Sequence, residues 1–453
     1  MDYSLLLQNQ RDFFNTGVTK NINFRKKSLL NLKKILKENE AELNKAIFLD
    51  FKKSEYDNYL TELSIIYDEI NYFLKNLDKL AKPQKVKSNL TTFPSKNKII
   101  PEPLGCCLII GAWNYPYQLT LAPLVSAIAA GNTCIIKPSE LPVNTMHMIE
   151  KLINSNFSEN YLKVITGAVE ETTALLNLQY DKIFFTGSPK VGQIVYEAAA
   201  KHLTPVTLEL GGKSPVIVSN KADINKAAKR ISWAKYLNAG QTCVAPDYAL
   251  VHIDVVDKFL TSLKLVIKDS EYTDGSIQYV SIINERNFDR LQNLLSANNI
   301  IYGGNYNAST RYIEPTVIYP CHWDDNIMKE EIFGPILPII TYENLEEILD
   351  IIKKKEKPLS AYIFTENKEE KKLFENTISF GGGCINDCIM HLANGNLPFG
   401  GVGQSGIGNY HHQFGFYTFS HQKAILEKRG TFEPKLKYPP YNMNLLKWIK
   451  KFL

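Results

Sequence analysis

The spacing of apolar and polar residues changes along the chain and divides it into a helical beginning and a longer mixed region. In residues 4–80, apolar side chains recur at helical spacing among lysine and glutamate, as at Leu29, Leu32 and Leu36. This spacing predicts a set of amphipathic helices. Residues 82–103 are rich in proline, lysine, serine and threonine and contain short extended pieces, which predicts a protruding hairpin.

Short apolar runs typical of buried strands alternate with helical stretches from residue 107 onward. A first series contains predicted strands at 107–110, 133–136, 162–165, 182–185 and 206–208 and predicted helices at 119–130, 145–153 and 191–200. A second series contains predicted strands at 216–218, 248–252, 316–319 and 336–342 and predicted helices at 224–235 and 255–267. Such alternation is typical of parallel sheets covered by helices, so we predict a doubly wound α/β unit followed by a second α/β unit.

The length and composition fit an ordinary soluble protein of about three structural units. The chain has 453 residues, of which 44% are hydrophobic and 22% are charged. These shares exclude wholesale disorder, a collagen-like chain and a multi-span membrane protein. The formal net charge is +5, from 52 Lys and Arg against 47 Asp and Glu. A charge this small gives no ground for nucleic-acid binding.

Three features predict a cytoplasmic protein. The first residues carry no basic leader and only a short apolar run, unlike a signal peptide. The longest apolar tract, residues 104–138, is interrupted by glycine, asparagine and proline, whereas a membrane-spanning helix needs about 18 uninterrupted apolar residues. The seven cysteines are an odd number, and we expect them to be reduced thiols.

Three motifs suggest functions that their surroundings do not support. The segment 401–406 has the glycine spacing of a dinucleotide-binding turn, but no helix is predicted after it, so we interpret it as a glycine-rich loop. Cys384, Cys388 and His391 lack the spacing of a zinc site, and we predict no metal. The turn at 187–192 lacks the lysine of an ATP-binding loop.

A glycine-containing turn and a carboxylate lie at predicted strand ends. Gly187, Ser188 and Gly192 fall between a predicted strand and a predicted helix, where free amides and the positive end of the helix dipole suit a pyrophosphate. Glu209 ends the following strand. Active sites in open α/β sheets form at such strand ends.

Cys243 ends the run Asn-Ala-Gly-Gln-Thr-Cys, whose small and polar residues leave its thiol approachable. A buried inert cysteine is the alternative, and other groups decide between the two. Asn114 offers a side-chain amide that would form an oxyanion hole together with the Cys243 backbone N–H. Lys137 and Glu140 follow a predicted strand and offer a cation and a carboxylate to a ribose.

Two further motifs complete this series, namely Glu331 with Phe333 and the glycine-rich segment 398–408. In this order the motifs resemble the aldehyde dehydrogenase superfamily, and the resemblance extends over essentially the whole chain. The short N-terminus, the Asn-Tyr-Pro run at 114–116 and Asn386 with a histidine after it resemble the class 3 branch of fatty and aromatic aldehyde dehydrogenases.

The resemblance implies an enzyme that oxidises an aldehyde to the carboxylic acid with NAD(P), through a thiohemiacetal and a thioester on Cys243. It implies Cys243 as the nucleophile and Glu209 as the general base that activates water. Asn114 and the Cys243 amide would form the oxyanion hole.

The implied cofactor is NAD, with NADP tolerated. The resemblance places Lys137 and Glu140 on the adenosine ribose, Gly187, Ser188 and Gly192 near the pyrophosphate, and Glu331 and Phe333 around the nicotinamide ribose. Glu140 should repel a 2′-phosphate, and Lys137 would partly offset that repulsion.

The substrate tunnel is expected to be aromatic. By resemblance it is lined by Tyr115, Trp233, Phe399 and His411, which suits medium or long aliphatic and aromatic aldehydes.

The expected architecture is an α/β fold with a Rossmann-like cofactor domain, a second α/β catalytic domain and a small β oligomerisation element. These occupy residues 1–82 and 102–208, residues 209–400, and residues 83–101 and 401–453, respectively. By resemblance, the hairpin and a predicted strand at 417–425 pair across a homodimer. Residues 445–453 form a predicted helix with apolar and lysine faces, which either docks on the protein or makes a peripheral contact with an anionic membrane.

Three other functions compete with this interpretation. An enzyme that passes the acyl group to coenzyme A needs no water-activating base, and Glu209 argues against it. A catalytically silent protein of the same fold would lack Cys243, Glu209 or Asn114, and all three are present. A cysteine hydrolase would need a histidine near the thiol, and no histidine motif surrounds Cys243 in sequence.

Overall fold

The computed structural model describes residues 2–296, 299–428, 430 and 437–450. None of the helices in this described part is long and apolar enough to cross a membrane. The helices are α1 (Tyr3–Asn15), α2 (Ile22–Glu38), α3 (Glu40–Phe51), α4 (Glu55–Asn58), α5 (Ser64–Leu80), α6 (Pro116–Ala130), α7 (Val143–Asn154), α8 (Val169–Leu176), α9 (Pro189–Ala200), α10 (Ile224–Tyr236), α11 (Val256–Asp269), α12 (Glu285–Leu295), α13 (Leu345–Lys353), α14 (Lys368–Thr377), α15 (His412–Thr418) and α16 (Met443–Ile449). The strands are β1 (Gln84–Val86), β2 (Ser95–Pro103), β3 (Cys106–Ile110), β4 (Thr133–Lys137), β5 (Leu162–Val164), β6 (Lys182–Thr186), β7 (Val206–Glu209), β8 (Pro215–Val218), β9 (Tyr248–His252), β10 (Ile300–Tyr302), β11 (Tyr306–Asn307), β12 (Tyr312–Ile313), β13 (Thr316–Ile318), β14 (Ile336–Tyr342), β15 (Ser360–Phe364), β16 (Gly382–Ile385), β17 (Gly406–Ile407) and β18 (Ser420–Lys428).

The amphipathic helices predicted for residues 4–80 are confirmed as α1 to α5. Their apolar faces are buried, and Leu29, Leu32 and Leu36 are completely enclosed. Asn21 starts α2 by accepting hydrogen bonds from the N–H groups of the first helical turn. A π-helical turn at Tyr59–Leu63 lies between α4 and α5, and such wide turns are rare and frequent near functional sites.

The first large sheet has six strands in the order β17-β7-β6-β3-β4-β5. Strands β3 to β7 are parallel to their neighbours, and β17 is antiparallel to β7, with Gly406 opposite Glu209. Helix α6 follows β3 and is buried along its whole length, as expected for a helix that is apolar on every side. This is the predicted doubly wound, Rossmann-like unit.

The second large sheet has seven strands in the order β10-β13-β14-β9-β8-β15-β16. All neighbouring pairs are parallel except β10 with β13. The predicted second α/β unit is therefore confirmed, and the mixed α/β fold class with it.

The third sheet contains β1, β2 and β18. The predicted hairpin is formed by β1 and β2, and β18 pairs antiparallel with the whole length of β2. The strand predicted at 417–425 begins later than expected, because α15 continues to Thr418 and the strand runs over Ser420–Lys428. Among the described residues of the segment 401–453, only β18 joins this sheet, since β17 belongs to the six-stranded one.

Candidate active site

Four predicted site residues lie at the carboxyl ends of neighbouring parallel strands. Asn114 follows β3, Lys137 ends β4, Gly187 follows β6 and Glu209 ends β7. Strand β3 pairs with both β4 and β6. The chain therefore adds β4 and β5 on one side of β3, and then β6 and β7 on its other side. Ligands in doubly wound sheets bind at this kind of switch point.

The loop that carries Cys243 approaches from the second sheet, between α10 and β9. Asn238 and Ala239 both have left-handed backbone angles, with φ of 54° and 51°. Gly240 also has a positive φ, and a Cβ there would come within 2.2 Å of the Gly334 carbonyl oxygen. Only glycine therefore fits at this position. The Gln241 side chain fixes the loop further, with hydrogen bonds to the backbone of Asn238 and of residues 281 and 283.

Asn114 and the Cys243 loop are directly joined. The Asn114 Nδ2 donates to the Gln241 carbonyl oxygen at 3.0 Å. In return, the Asn238 Nδ2 donates to the Asn114 carbonyl oxygen at 3.0 Å. The backbone N–H groups of Cys243 and Val244 interact with the thiol. The structure thus brings together the two groups predicted to form an oxyanion hole.

The Cys243 thiol is partly buried and has two carboxyl groups in its electrostatic environment. Burial, followed by the charges of Glu331 and Glu209, raises the pKa of Cys243 to about 12. The Glu209 side chain is 3% exposed, and neither of its carboxyl oxygens has a hydrogen-bond partner. Burial raises the Glu209 pKa well above its usual value. An unpartnered buried carboxyl group is costly and typical of functional sites.

The residues predicted to hold the adenosine ribose are adjacent. Lys137 is buried and donates to the Pro138 carbonyl oxygen at 2.8 Å. Its Nζ lies 3.9 Å from the Glu140 carboxylate, which is partly exposed. Burial lowers the pKa of Lys137.

The turn predicted to hold the pyrophosphate has the expected form. Ser188 is the N-cap of α9, and its Oγ accepts from the Val191 N–H at 3.4 Å. Gly187 donates its N–H to the Glu209 carbonyl oxygen at 3.0 Å, which joins the turn to β7. A Cβ at Gly192 would lie 2.6 Å from a methyl carbon of Leu210. Glycine therefore lets α9 pack closely on the chain after β7, and the start of α9 fits a phosphate ligand.

Glu331 and Phe333 reach the site from the second sheet, just before β14. Burial, followed by the charge of Asp247, raises the Glu331 pKa to about 8. Phe333 meets Trp113 edge to face at 5.2 Å between ring centroids. Because Trp113 precedes Asn114 in the chain, this contact links the two sheets beside the thiol.

Cys243 is among the residues that line a cavity of about 600 Å³. All four residues predicted to line the substrate tunnel, Tyr115, Trp233, Phe399 and His411, lie in its wall. The Tyr115 hydroxyl is 2.6 Å from the Thr242 Oγ1. His411 stacks on Phe399 at 5.2 Å, and burial lowers the His411 pKa to about 3, so its ring is neutral.

Several wall residues were not predicted from sequence. Tyr56, Leu60 and Thr61 come from α4 and the π-helical turn, and a further part of the wall comes from the loop at 389–395. Asn386 does not line the cavity; its side chain exchanges hydrogen bonds of 2.8 and 3.0 Å with the backbone of Thr365. It therefore anchors the start of that loop.

Glu69 and His412 are also in the wall and were also missed. The Glu69 carboxyl oxygens accept from the His412 N–H at 2.9 and 3.1 Å. The His412 ring stacks on Tyr72 at 3.9 Å, and its Nε2 is 3.0 Å from Asp68. The only sequence signal was that His412 follows His411.

The structure also shows the conformation of two motifs to which the sequence assigned no chemical role. The segment 403–405 forms a short 3-10 turn that leads into β17, so it is a loop, as predicted. All seven cysteines are free thiols, as predicted. Cys384 Sγ is 3.6 Å from His391 Nδ1, and within the described part of the chain no group of three or more potential metal ligands occurs.

Comparisons with known proteins identify the family of this chain. The sequence model of the aldehyde dehydrogenase family matches residues 9–425. The 4,4'-diaponeurosporen-aldehyde dehydrogenase of Staphylococcus aureus is 47% identical over 444 residues, which cover 97% of this chain and 96% of that protein. Aldehyde dehydrogenase family 3 member A2 of Rattus norvegicus is 45% identical over 451 residues, covering 99% and 93% of the two chains.

A solved structure described as the substrate-bound state of Staphylococcus aureus AldH superimposes with a TM-score of 0.97 at 46% identity. The match covers 100% of this chain and 99% of that one. The chain belongs to the aldehyde dehydrogenase family, and among its relatives are family 3 members.

Proposed function

We propose that the protein oxidises medium-chain, long-chain or aromatic aldehydes to carboxylic acids, with Cys243 as the nucleophile and Glu209 as the general base. Oxidation of aldehydes with NAD(P) is the activity of the family. The observation that carries the residue assignment is that Cys243 lines a largely apolar cavity and is influenced by the charge of Glu209, a buried carboxyl group without a hydrogen-bond partner.

The chain's own groups account for the covalent steps. The Cys243 sulfur, once deprotonated, attacks the carbonyl carbon, and the Asn114 amide and the Cys243 N–H hold the resulting oxyanion. Loss of hydride from this thiohemiacetal leaves a thioester. Glu209 then takes a proton from water, the hydroxide adds to the thioester, and cleavage of the C–S bond releases the acid and regenerates the thiol.

The residues at the strand ends fit a nicotinamide dinucleotide. Lys137 and Glu140 would hold the adenosine ribose, the start of α9 with Gly187, Ser188 and Gly192 the pyrophosphate, and Glu331 with Phe333 the nicotinamide ribose. When bound, the oxidised nicotinamide accepts the hydride. We assign NAD as the preferred form and NADP as a tolerated one, because Glu140 repels a 2′-phosphate and the nearby Lys137 partly offsets it.

A kinetic panel tests the substrate and cofactor assignments. Aliphatic aldehydes of increasing chain length and an aromatic aldehyde are each tested with NAD and with NADP. We expect kcat/KM to rise with chain length, as expected for a large apolar cavity, and to be higher with NAD. Replacing Cys243 with Ala should abolish turnover and leave cofactor binding nearly intact. Normal turnover of that variant would disprove the assignment.

Two competing functions are less well supported by the site. An acyl transfer to coenzyme A needs no buried base, and Glu209 supports hydrolysis instead. A cysteine hydrolase needs a basic histidine, and His411, which lines the cavity, has a pKa lowered to about 3 by burial. Release of free acid without coenzyme A, accompanied by cofactor reduction, distinguishes oxidation from both.

The three sheets support the proposed domain division and a homodimer. We assign residues 1–82 and 102–208 to the cofactor domain, 209–400 to the catalytic domain, and the small sheet to oligomerisation. Strand β18 has nine residues, most of them exposed, at the edge of that sheet, and a long open edge favours pairing with a second chain. Sedimentation should show a dimer at micromolar concentration; a monomer would contradict the proposal.

We assign the protein to the cytoplasm, with a peripheral membrane contact through its C-terminal helix. In α16, Leu445 and Leu446 are each more than one-third exposed and Met443 more so. Lys450 is exposed. The side chains of Lys447 and Trp448 and the whole of residues 451–453 lie outside the described residues. Deleting 445–453 should weaken binding to anionic vesicles and slow long aldehydes more than short ones. Equal slowing of all chain lengths would indicate a structural role.

A further inference from the structure

A buried ion pair lies behind the segment that carries Asn114. Lys53 Nζ and Glu62 Oε1 are 2.8 Å apart, and the side chains are 1% and 0% exposed. Neither residue is among those that line the described cavity. Glu62 belongs to the π-helical turn, whose Leu60 and Thr61 do line it. The turn therefore presents two residues to the cavity and directs Glu62 into the interior.

The second carboxyl oxygen of Glu62 caps helix α6, although Glu62 itself lies in the π-helical turn. Its Oε2 accepts from the backbone N–H of Tyr117 at 2.7 Å and of Gln118 at 3.2 Å. The first N–H groups of a helix have no partner within the helix. The residue before α6, Tyr115, provides no side-chain cap. The Glu62 carboxylate therefore fixes the start of α6, two residues after Asn114.

Lys53 also contacts the segment between β3 and α6. Its Nζ lies 4.4 Å from the centroid of the Tyr115 ring, a cation–π distance. The Tyr115 hydroxyl bonds to Thr242, the residue before Cys243. A continuous series of contacts thus runs from the ion pair through Tyr115 to the Cys243 loop, and Asn114, the residue before Tyr115, bonds to the same loop.

We propose that Lys53 and Glu62 are positioning residues that hold Asn114 and Tyr115 in place against the Cys243 loop, so that the oxyanion hole is formed before the aldehyde binds. This inference rests on the proposed roles of Cys243 and Asn114. Neither residue of the pair touches substrate; each acts through the segment between β3 and α6. A displacement of about 1 Å in a positioned group can slow a reaction about 100-fold.

The alternative is an ion pair that only stabilises the fold, and Asp50 provides a matched control. Asp50 is also buried and also caps a helix from outside, accepting from the N–H groups of Asn144 at 3.1 Å and Thr145 at 2.8 Å at the start of α7. Its carboxylate caps α7 rather than α6, and in the described structure it makes no hydrogen bond to residues 114–118. Asp50→Asn should lower the melting temperature while leaving the pre-steady-state burst of reduced cofactor within about twofold of wild type.

The experiment measures that burst rate at saturating NAD and aldehyde, with the aldehyde KM, the cofactor dissociation constant and the melting temperature. We expect Glu62→Gln to slow the burst by about tenfold or more. The aldehyde KM and the cofactor dissociation constant should stay within about twofold of wild type, because a lost oxyanion contact acts on the transition state. The double variant Lys53→Met with Glu62→Gln removes the unpaired buried charge. Its melting temperature should be higher than that of Glu62→Gln, while its burst should remain as slow. If Glu62→Gln fails to fold, the double variant is used in its place.

A double-mutant cycle with Asn114→Ala separates positioning from stability. If Glu62 acts through Asn114, Glu62→Gln should slow the burst less than about threefold in the Asn114→Ala background. Additive effects, a burst within twofold of wild type in Glu62→Gln, or equal slowing in Asp50→Asn would each overturn the proposal. If the wild-type enzyme reduces no cofactor in the presence of aldehyde, or Cys243→Ala retains this reduction, the proposed function itself fails and this inference falls with it.

Discussion

The Asn114 side-chain amide donates a 3.0 Å hydrogen bond to the carbonyl oxygen of Gln241, two residues before Cys243. This bond uses one of the two amide hydrogens and fixes the plane of the group, and the other hydrogen remains available to an oxyanion. Preorganised donors of this kind stabilise charge that develops during the reaction without reorganising.

Asn114→Ala should therefore slow the burst of reduced cofactor by about 100- to 1000-fold, as removal of one oxyanion donor typically does. Stopped-flow fluorescence measures this rate. Asn114→Asp tests the charge requirement, because a carboxylate accepts and cannot donate; it should be at least as slow. A wild-type burst in Asn114→Ala would place the oxyanion elsewhere.

Glu209→Gln should separate the two halves of the reaction. Hydride transfer precedes the step that needs the base, so we expect a burst of about one reduced cofactor per site followed by a stalled thioester. Mass spectrometry of the quenched enzyme should find the acyl group on Cys243. Steady turnover without a burst would assign the base to another residue.

The thiol should react slowly with alkylating reagents in the cofactor-free enzyme. Its pKa of about 12 leaves little thiolate at neutral pH, so the rate of Cys243 alkylation by iodoacetamide should rise steadily between pH 7 and pH 10. Glu331, with a pKa near 8, is mostly ionised at pH 9 and then raises the pKa of Cys243. Glu331→Gln should accelerate alkylation at pH 9 and have little effect at pH 6.

Peptide mapping provides the control for this measurement. Cys384 is also only partly buried, and its alkylation rate should not respond to the Glu331 substitution. An unchanged Cys243 rate at pH 9 would show that Glu331 does not act on the thiol.

Buried Glu69 should make stability depend on pH. Burial raises its pKa from the usual 4.5 to about 8. Below pH 4.5 the group is neutral whether the chain is folded or unfolded. As pH rises from 4.5 to 8, only the unfolded chain ionises, so the folded state loses stability.

Glu69→Gln removes this dependence and keeps an oxygen that can accept from His412. The melting temperature of the variant relative to wild type should therefore be higher at pH 8 than at pH 5. Thermal denaturation at the two pH values measures the difference, and a constant or opposite difference would contradict the prediction.

The parts of the fold predicted from sequence are those whose signal is local. Strands β9 and β14 have the predicted boundaries, because each is a continuous apolar run between polar or glycine-containing segments. Strands β15 and β16 were not predicted. β15 begins with serine and β16 with two glycines. They gain their strand character from parallel pairing, β15 with β8 and β16 with β15.

The same distinction applies to the site. Cys243, Glu209 and Asn114 lie in short runs whose residue types indicate chemistry. The Lys53–Glu62 pair was missed because its meaning depends on α6, which is distant in the chain. His412 was missed for the same reason, since its partners Asp68, Glu69 and Tyr72 all lie on α5.

The pairing of β17 with β7 has a consequence for the order in which the protein becomes active during its synthesis. Gly406 lies opposite Glu209, and the Leu210 N–H donates to the Ser405 carbonyl oxygen at 3.1 Å. A growing chain on the ribosome has already made Cys243, Asn114 and both large sheets' earlier strands before this pairing can form. Until then the strand that ends in Glu209 remains an open edge, and the cavity lacks His411 and His412. From the synthesis of Cys243 until that of His411 and His412, the nascent protein therefore carries its nucleophile in a site that cannot yet enclose an aldehyde.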